Sequence, residues 1–334
     1  MAGAVAVNKE ACLNAVYKKT DCRRCRESCP QQCIDVDLEV DQNRCSECGL
    51  CLAACPAEAV WGENFSCETL DSLVADTAAP LILACRRRDE MSPWPCLGFL
   101  DARLLLALVG SGKDGPRQVA VDDRSCEGCR PQVATYLREL AEETCGLLSP
   151  DGPALIARGE TAGKVERRAK TVSRRDFFSQ LLGATLGTVR EVMTAGMVSG
   201  EPLPRRALLE KYADRLNLAN VVTTKLFYNI RIAAGCQACG FCSRVCPTKA
   251  ITLQDHGATL DFFHAPQKCT GCGVCAAHCP SGALSVAEAQ RLGVYHIATV
   301  ELPRCTKCGQ LYQPSGNKPV CLECLLKHDY RGIY

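Results

Sequence analysis

Two stretches of this sequence set cysteines at a spacing that binds metal. "GCQACGFCSRVCPTKAI" carries Cys236, Cys239, Cys242 and Cys246, and "KCTGCGVCAAHCPSGAL" carries Cys269, Cys272, Cys275 and Cys279; both read C-x2-C-x2-C-x3-C-P. Thiolates separated by two residues aim at one metal centre rather than at distant disulfide partners. "RCSECGLCLAACPAEAV" repeats the unit with Cys45, Cys48, Cys51 and Cys55. A fourth stretch, "ACLNAVYKKTDCRRCRESCPQQCI" from Ala11, departs from it. Counting back from Cys29-Pro30, Cys25 and Cys22 fall in place, but Lys19 stands where the first cysteine belongs, with Cys12 and Cys33 spare nearby.

The rest of the chain favours metal over disulfides. There are 27 cysteines among 334 residues, near the level that marks a special class of chain. Disulfide scaffolds are short and follow a secretory signal, whereas "MAGAVAVNKEAC" has no basic start and only a brief apolar run. The stretch "FFSQLLGATLGTVREVMTAGMV" is broken by Arg190 and Glu191, which argues against a membrane span. A formal net charge of +2 supplies no strong field for nucleic acid or an anionic membrane, and few aromatics accompany the basic residues. The expected setting is a reducing, cytoplasmic compartment.

The module at 226–296 resembles the bacterial ferredoxins that hold two [4Fe–4S] clusters, and the resemblance covers the whole module. In that family three closely spaced thiolates wrap one face of a cubane, and the fourth, ahead of the proline, ligates the other cluster. The resemblance implies Cys236, Cys239, Cys242 and Cys279 on one cluster, with Cys269, Cys272, Cys275 and Cys246 on the other. Gly240, Gly271 and Gly273 let the backbone approach cluster sulfur. Between the runs, "AITLQDHGATLDF" alternates apolar and polar residues around Asp255-His256-Gly257 and reads as a β-hairpin. A pair of zinc knuckles is the disfavoured alternative.

The same exchange of fourth ligands implies that Cys29 completes the set of Cys45, Cys48 and Cys51. The remaining cluster would then use Cys22, Cys25 and Cys55, and it lacks one thiolate. Cys12 is favoured for that corner, because "CLNAVYKK" has helical character and a short helical excursion returns its thiolate. Cys33 sits where the regular runs "CPTKAI" and "CPSGAL" carry an inward-packing alanine. A three-iron cluster with no fourth ligand is the alternative.

Residues 66–160 change pattern. "PLILAC", "RQVAVDD" and "PALIAR" read as strands, while "DARLLLALVG" and "RPQVATYLRELAEET" read as helices, the second with Val133, Leu137 and Leu140 on one face. This βαβαβ order predicts a parallel sheet. Cys85, Cys126 and Cys129 follow strands at its carboxyl edge, where ligands bind, and Cys96 in "SPWPCLGF" lies within reach. The order of the four resembles thioredoxin-like [2Fe–2S] ferredoxins and the small iron–sulfur subunit of hydrogenase–heterodisulfide reductase complexes, although the former usually end in C-x3-C. An Fe–S cluster, with [2Fe–2S] favoured, is expected ahead of structural zinc or a redox dithiol. Cys67 and Cys145 have no partner at useful spacing and read as buried apolar thiols.

Residues 161–225 lack cysteine and read as a helical connector. It holds a basic, solvated linker, the segment "SRRDFFSQLLGATLG", which resembles an internal twin-arginine motif, and an amphipathic helix over 203–220. The tail at 297–334 places Cys305, Cys308, Cys321 and Cys324 as C-x2-C-x12-C-x2-C, a tetrahedral pattern for which zinc is favoured over a rubredoxin-like iron. His328 reads as a surface residue.

The expected architecture is a multidomain α+β chain. It comprises ferredoxin-like dicluster modules at 1–65 and 226–296, a βαβ parallel-sheet domain between them, and a zinc-ribbon or rubredoxin-like knuckle at the end. No dinucleotide fingerprint, P-loop, Ser-His-Asp set or H-E-x-x-H motif appears. The resemblance therefore implies a multi-cluster electron-transfer protein without a catalytic residue of its own. It would be the wiring subunit of a larger oxidoreductase, with a hydrogenase, molybdenum, tungsten or flavin enzyme as partner. An assembly or maturation factor for such an enzyme is the alternative.

Overall fold

The computed structural model describes residues 5–65, 80–113, 115–145, 156–159, 205–212, 216, 224–289, 293–314 and 319–329. Cys67, the basic linker beyond Gly159, the "SRRDFF" segment and the side chain of His328 lie outside these residues.

Strand β1 (Val5–Val7) pairs antiparallel with β2 (Val60–Gly62), Val5 opposite Gly62 and Val7 opposite Val60, and so closes the N-terminal module on itself. Three short helices lie between them, α1 (Leu13–Val16), α2 (Arg24–Glu27) and α3 (Leu50–Ala54). Helices α2 and α3 stay short because the prolines after their runs, Pro30 and Pro56, disfavour helix at the residue before them. A single antiparallel bridge joins Ile34 to Val40.

The central region is a three-stranded parallel sheet of β3 (Leu81–Ala84), β4 (Val119–Asp122) and β5 (Ile156–Arg158), in that order. Leu81 lies opposite Val119, and Val119 opposite Ile156. Helix α4 (Ala102–Gly110) follows β3, capped by the Asp101 carboxylate, which accepts from the Leu104 N–H at 2.8 Å. After β4 come α5 (Cys126–Cys129) and α6 (Pro131–Cys145). Helix α6 buries Val133, Leu137, Leu140 and Thr144 at three- and four-residue spacing. Cys145 corrects an expectation: it is exposed, because it follows Thr144 on the turn that faces away from that stripe.

Helix α4 is buried almost all round, which requires cover on more than one side. Part of that cover is α7 (Arg205–Tyr212), the piece of the expected 203–220 helix that is described. Leu208 and Leu209 enter the same core, and a Cβ at Gly110 would stand 2.7 Å from the Tyr212 carbonyl. Each buried leucine contributes about 1.5–3 kcal/mol. The buried Arg205 also donates to the carbonyls of Phe99, at 3.2 Å, and Leu52. Helix α7 thus fastens the central region to the N-terminal module.

In the C-terminal module β6 (Thr224–Ile232) pairs antiparallel with β9 (Leu284–Ala289), as β1 does with β2. Between them lie α8 (Phe241–Val245), β7 (Ile251–Asp255), β8 (Thr259–His264) and α9 (Val274–Ala277). The expected hairpin is β7–β8, turning at Gly257 with φ +79. Strand β10 (Tyr295–Glu301) adds to the other edge of β8, and α10 (Leu322–Asp329) lies in the tail. Among the described residues no helix is long and apolar enough to cross a membrane.

Candidate metal centres

The three regular runs share one backbone path. The residue before each second cysteine (Glu47, Ala238, Gly271) and the residue after it (Gly49, Gly240, Gly273) all have positive φ. These left-handed turns curl each run so that its thiols face inward. In the irregular run Arg23 occupies the second of these positions, and its φ is −116°. The departure seen at Lys19 is therefore also a departure of the backbone.

Three hollows result among the described residues. One is lined by Cys236, Cys239, Cys242 and Cys279, and one by Cys246, Cys269, Cys272 and Cys275. The third is lined by Cys29, Cys45, Cys48 and Cys51, with Cys33 as a fifth. Each is lined by one cysteine from the partner run beside three of its own. The residue four beyond the exchanged cysteine faces its sulfur in the same way: Ala250 N–H to Cys246 Sγ at 3.3 Å, Ala59 to Cys55 at 3.2 Å, Cys33 to Cys29 at 3.5 Å.

Cys12 belongs to a different group from Cys33. Burial pushes the Cys25 thiol up to about 11, and Cys55, Cys22 and Cys12 add to the shift. Cys22 is raised chiefly by burial, with Cys55 and Cys12 again adding to the shift. Asn14, on α1, clamps Cys22 from both sides: its amide nitrogen donates to the Cys22 carbonyl and its oxygen accepts from the Cys22 N–H, both at 2.7 Å. Cys33 lies 3.4 Å from Cys29, sulfur to sulfur, and is pushed up to about 12 by burial, then by Cys29 and Cys45.

Such shifts describe donor sets that resist carrying several negative charges in a buried space. Burial first, then the neighbouring thiols, pushes Cys242 and Cys275 up to about 12 and Cys269 to about 11. A cationic iron core removes that conflict, because metal binding and thiol deprotonation are coupled. The residues present fit an iron–sulfur cluster.

In the central region the four expected cysteines meet at the carboxyl edge of the sheet. Cys126 is pushed up to about 12 by burial, then by Cys96, Cys85, Asp123 and Cys129. The edge is held by ion pairs. Buried Asp122 takes Arg124 at 2.7 Å and Arg88 at 3.3 Å, and the Arg124 hydrogen bond holds its carboxyl below the usual range. Asp123 pairs with Arg158 of β5 and accepts from the Gly159 N–H at 3.0 Å. Arg130 reaches both the Cys96 thiol and the Ser46 carbonyl, joining this edge to the Cys29 hollow.

The tail cysteines are packed more tightly. The ligand atoms of Cys305, Cys308, Cys321 and Cys324 all lie within 4.8 Å of one another, the one such group among the described residues. Cys308 and Cys321 are 3.8 Å apart, which matches the sulfur–sulfur edge of about 3.8 Å for a tetrahedron with metal–sulfur bonds near 2.3 Å. Backbone N–H groups of Cys321, Cys308 and Lys307 hold the Cys305 thiol down at about 6 against the effect of burial.

The groups lie near one another: Cys96 acts electrostatically on Cys48, Cys25 on Cys51, and Cys242 on Cys275. Tyr17, on the excursion that carries Cys12, crosses to the C-terminal module. Its hydroxyl donates to the Val245 carbonyl at 2.9 Å and is pushed up by burial, then by Cys246 and Cys272. Asn14, Tyr17 and Arg130 were not singled out from sequence: Tyr17 and Arg130 act through contacts distant along the chain, and Asn14 through a side-chain clamp that cysteine spacing does not show.

Known proteins match two of these segments. Residues 235–283 match the 4Fe–4S dicluster domain family, and residues 38–61 match the 4Fe–4S binding domain family. The chain carries ferredoxin-type 4Fe–4S domains. Neither match reaches residues 12–33 or 85–129. The pyruvate synthase subunit PorD of Methanothermobacter marburgensis is 35% identical over 54 residues, 16% of this chain. The chain spans 58% of that relative's length.

Proposed function

We propose that this chain is the wiring subunit of a larger oxidoreductase, passing single electrons between a donor and a catalytic subunit. The observation that carries the reading is the succession of neighbouring cysteine groups. It runs from the central sheet edge through the Cys29 hollow and the Cys12 group to the Cys246 and Cys236 hollows. Iron–sulfur clusters held there supply one-electron chemistry, at potentials tuned by burial, charge and hydrogen bonds to sulfur. The chain's own part is to hold successive thiol sets against one another and to exclude water with the leucine-rich core around α4. The likeness to a pyruvate synthase subunit supports a partner that is itself a redox enzyme.

In this reading Cys12, Cys22, Cys25 and Cys55 hold one cubane, and Cys29, Cys45, Cys48 and Cys51 a second. The C-terminal module holds two more in the ligand sets of its hollows. Cys85, Cys96, Cys126 and Cys129 lie outside the compact geometry of the tail, which favours a polynuclear cluster there, [2Fe–2S], over a single zinc. The tail's four cysteines hold zinc as a closed staple.

The test is anaerobic co-purification with metal analysis. The chain is expected to accompany a redox enzyme in equal amount, to hold about sixteen irons in cubanes with about two more centrally, and to be reduced by that enzyme's substrate. Protein with full iron that stays oxidised in every such mixture rejects the wiring role and favours the maturation-factor reading.

A further inference from the structure

The two dicluster modules contain one position where the same fold carries opposite chemistry. Val40 and His264 each stand five residues ahead of a regular run's first cysteine, Cys45 and Cys269. Each is paired antiparallel with the isoleucine five residues beyond the exchanged cysteine, Val40 with Ile34 and His264 with Ile251. Each lines the corresponding hollow. The hydroxyl residues next to those first cysteines, Ser46 and Thr270, also correspond and line the same hollows, so they do not distinguish the two.

His264 is 0% exposed, and neither of its ring nitrogens has a hydrogen-bond partner among the described residues. An imidazole buried without partners is destabilising, and a valine would fill this place without that cost, as Val40 does. In either protonation state the ring carries at least one N–H. The hollow it lines presents the sulfur-rich surface that such a donor requires.

We propose that His264 donates an N–H···S hydrogen bond to the cluster held by Cys246, Cys269, Cys272 and Cys275, and so sets its reduction potential above that of the Val40-lined counterpart. The proposal rests on the reading that this hollow holds a cubane. One-electron reduction adds one negative charge to the cluster and its thiolates. The hydrogen bond strengthens in the reduced state while the proton stays on the ring, so the potential rises. His264 is a tuning residue and takes no part in bond making.

The experiment is an EPR-monitored redox titration of the anaerobic full-length chain, with iron counted beforehand. His264→Val is expected to keep the iron count and lower one midpoint by about tenfold in the redox equilibrium, or about 59 mV for a one-electron couple, leaving the others in place. With nitrogen-15 histidine, pulsed EPR should show a nitrogen coupling to one reduced cluster that His264→Val abolishes. Val40→His is the converse variant, expected to raise the midpoint of the Cys29-hollow cluster. Unchanged midpoints in His264→Val with full iron, or no histidine coupling in the native chain, overturn the proposal. If His264→Val loses iron, Val40→His decides: a raised midpoint supports the proposal and an unmoved one rejects it. A native chain lacking the iron of this cubane instead rejects the underlying reading of the hollow.

Discussion

The C-terminal module builds its two hollows from two regular runs, each supplying three thiols to its own hollow and one to its partner's. The N-terminal module has the same closing strand pair and the same bridge beside its regular run, yet Cys12, at the start of a helix ahead of the run, stands near Cys22 and Cys25, and in the proposed reading it supplies the missing ligand. The difference teaches that the arrangement of thiols, not the count between them, is what the fold maintains. Where Arg23 does not make the left-handed turn of Gly49, Gly240 and Gly273, the proposed reading has another segment deliver the missing sulfur.

The strongest way to break this comparison is to remove the imported thiol. Cys12→Ala is expected to convert or eliminate one cubane, whereas Cys33→Ala leaves the iron count unchanged, measured as iron per chain and by EPR of the reduced protein. The reverse outcome would transfer the ligand role to Cys33.

A smaller effect separates two glycines that share a conformation. Gly273 has φ +75 and open space where a Cβ would stand, so Gly273→Ala should cost about 1–2 kcal/mol, the strain of an L-residue in that region. Gly49 has φ +83, and a Cβ there would meet the Phe99 nitrogen at 2.6 Å. Gly49→Ala should therefore cost about 1–3 kcal/mol more, through overpacking against the central region. Equal losses in chemical denaturation would show that the two modules are equally free of their neighbour.

The smallest expected effect is at the crossing between modules. Tyr17→Phe removes the hydroxyl that donates to Val245 at 2.9 Å and should cost about 1 kcal/mol. Hydrogen exchange should quicken around α1 and α8 together if that bond couples them; a response confined to α1 would count against coupling.

Much of this was legible in the sequence, for physical reasons. Cysteine spacing carries ligand sets because a short run has few ways to aim three thiols inward. Alternation predicts the β7–β8 hairpin because a strand's side chains alternate between faces. That alternation also carried an unused signal: Leu260, Phe262 and His264 share the buried face of β8, so the burial of His264 was readable there. The packing of α7 on α4 and the reach of Arg130 were not readable, since each joins residues far apart along the chain, and the Asn14 clamp on Cys22 is local but leaves no mark in the spacing. Cys145 misled because a thiol has no strong preference of its own at the end of an amphipathic helix.

The excursion that brings in Cys12 also has a consequence in time. Leu13 lies in the C-terminal module's core, and the Tyr17 hydroxyl finds its acceptor 228 residues further along the chain. Contacts of such separation close late, and a chain leaving the ribosome presents its first residues long before their partners. The thiol group numbered first in the sequence is therefore among the last to be braced, and its completion waits on the synthesis of the module numbered last.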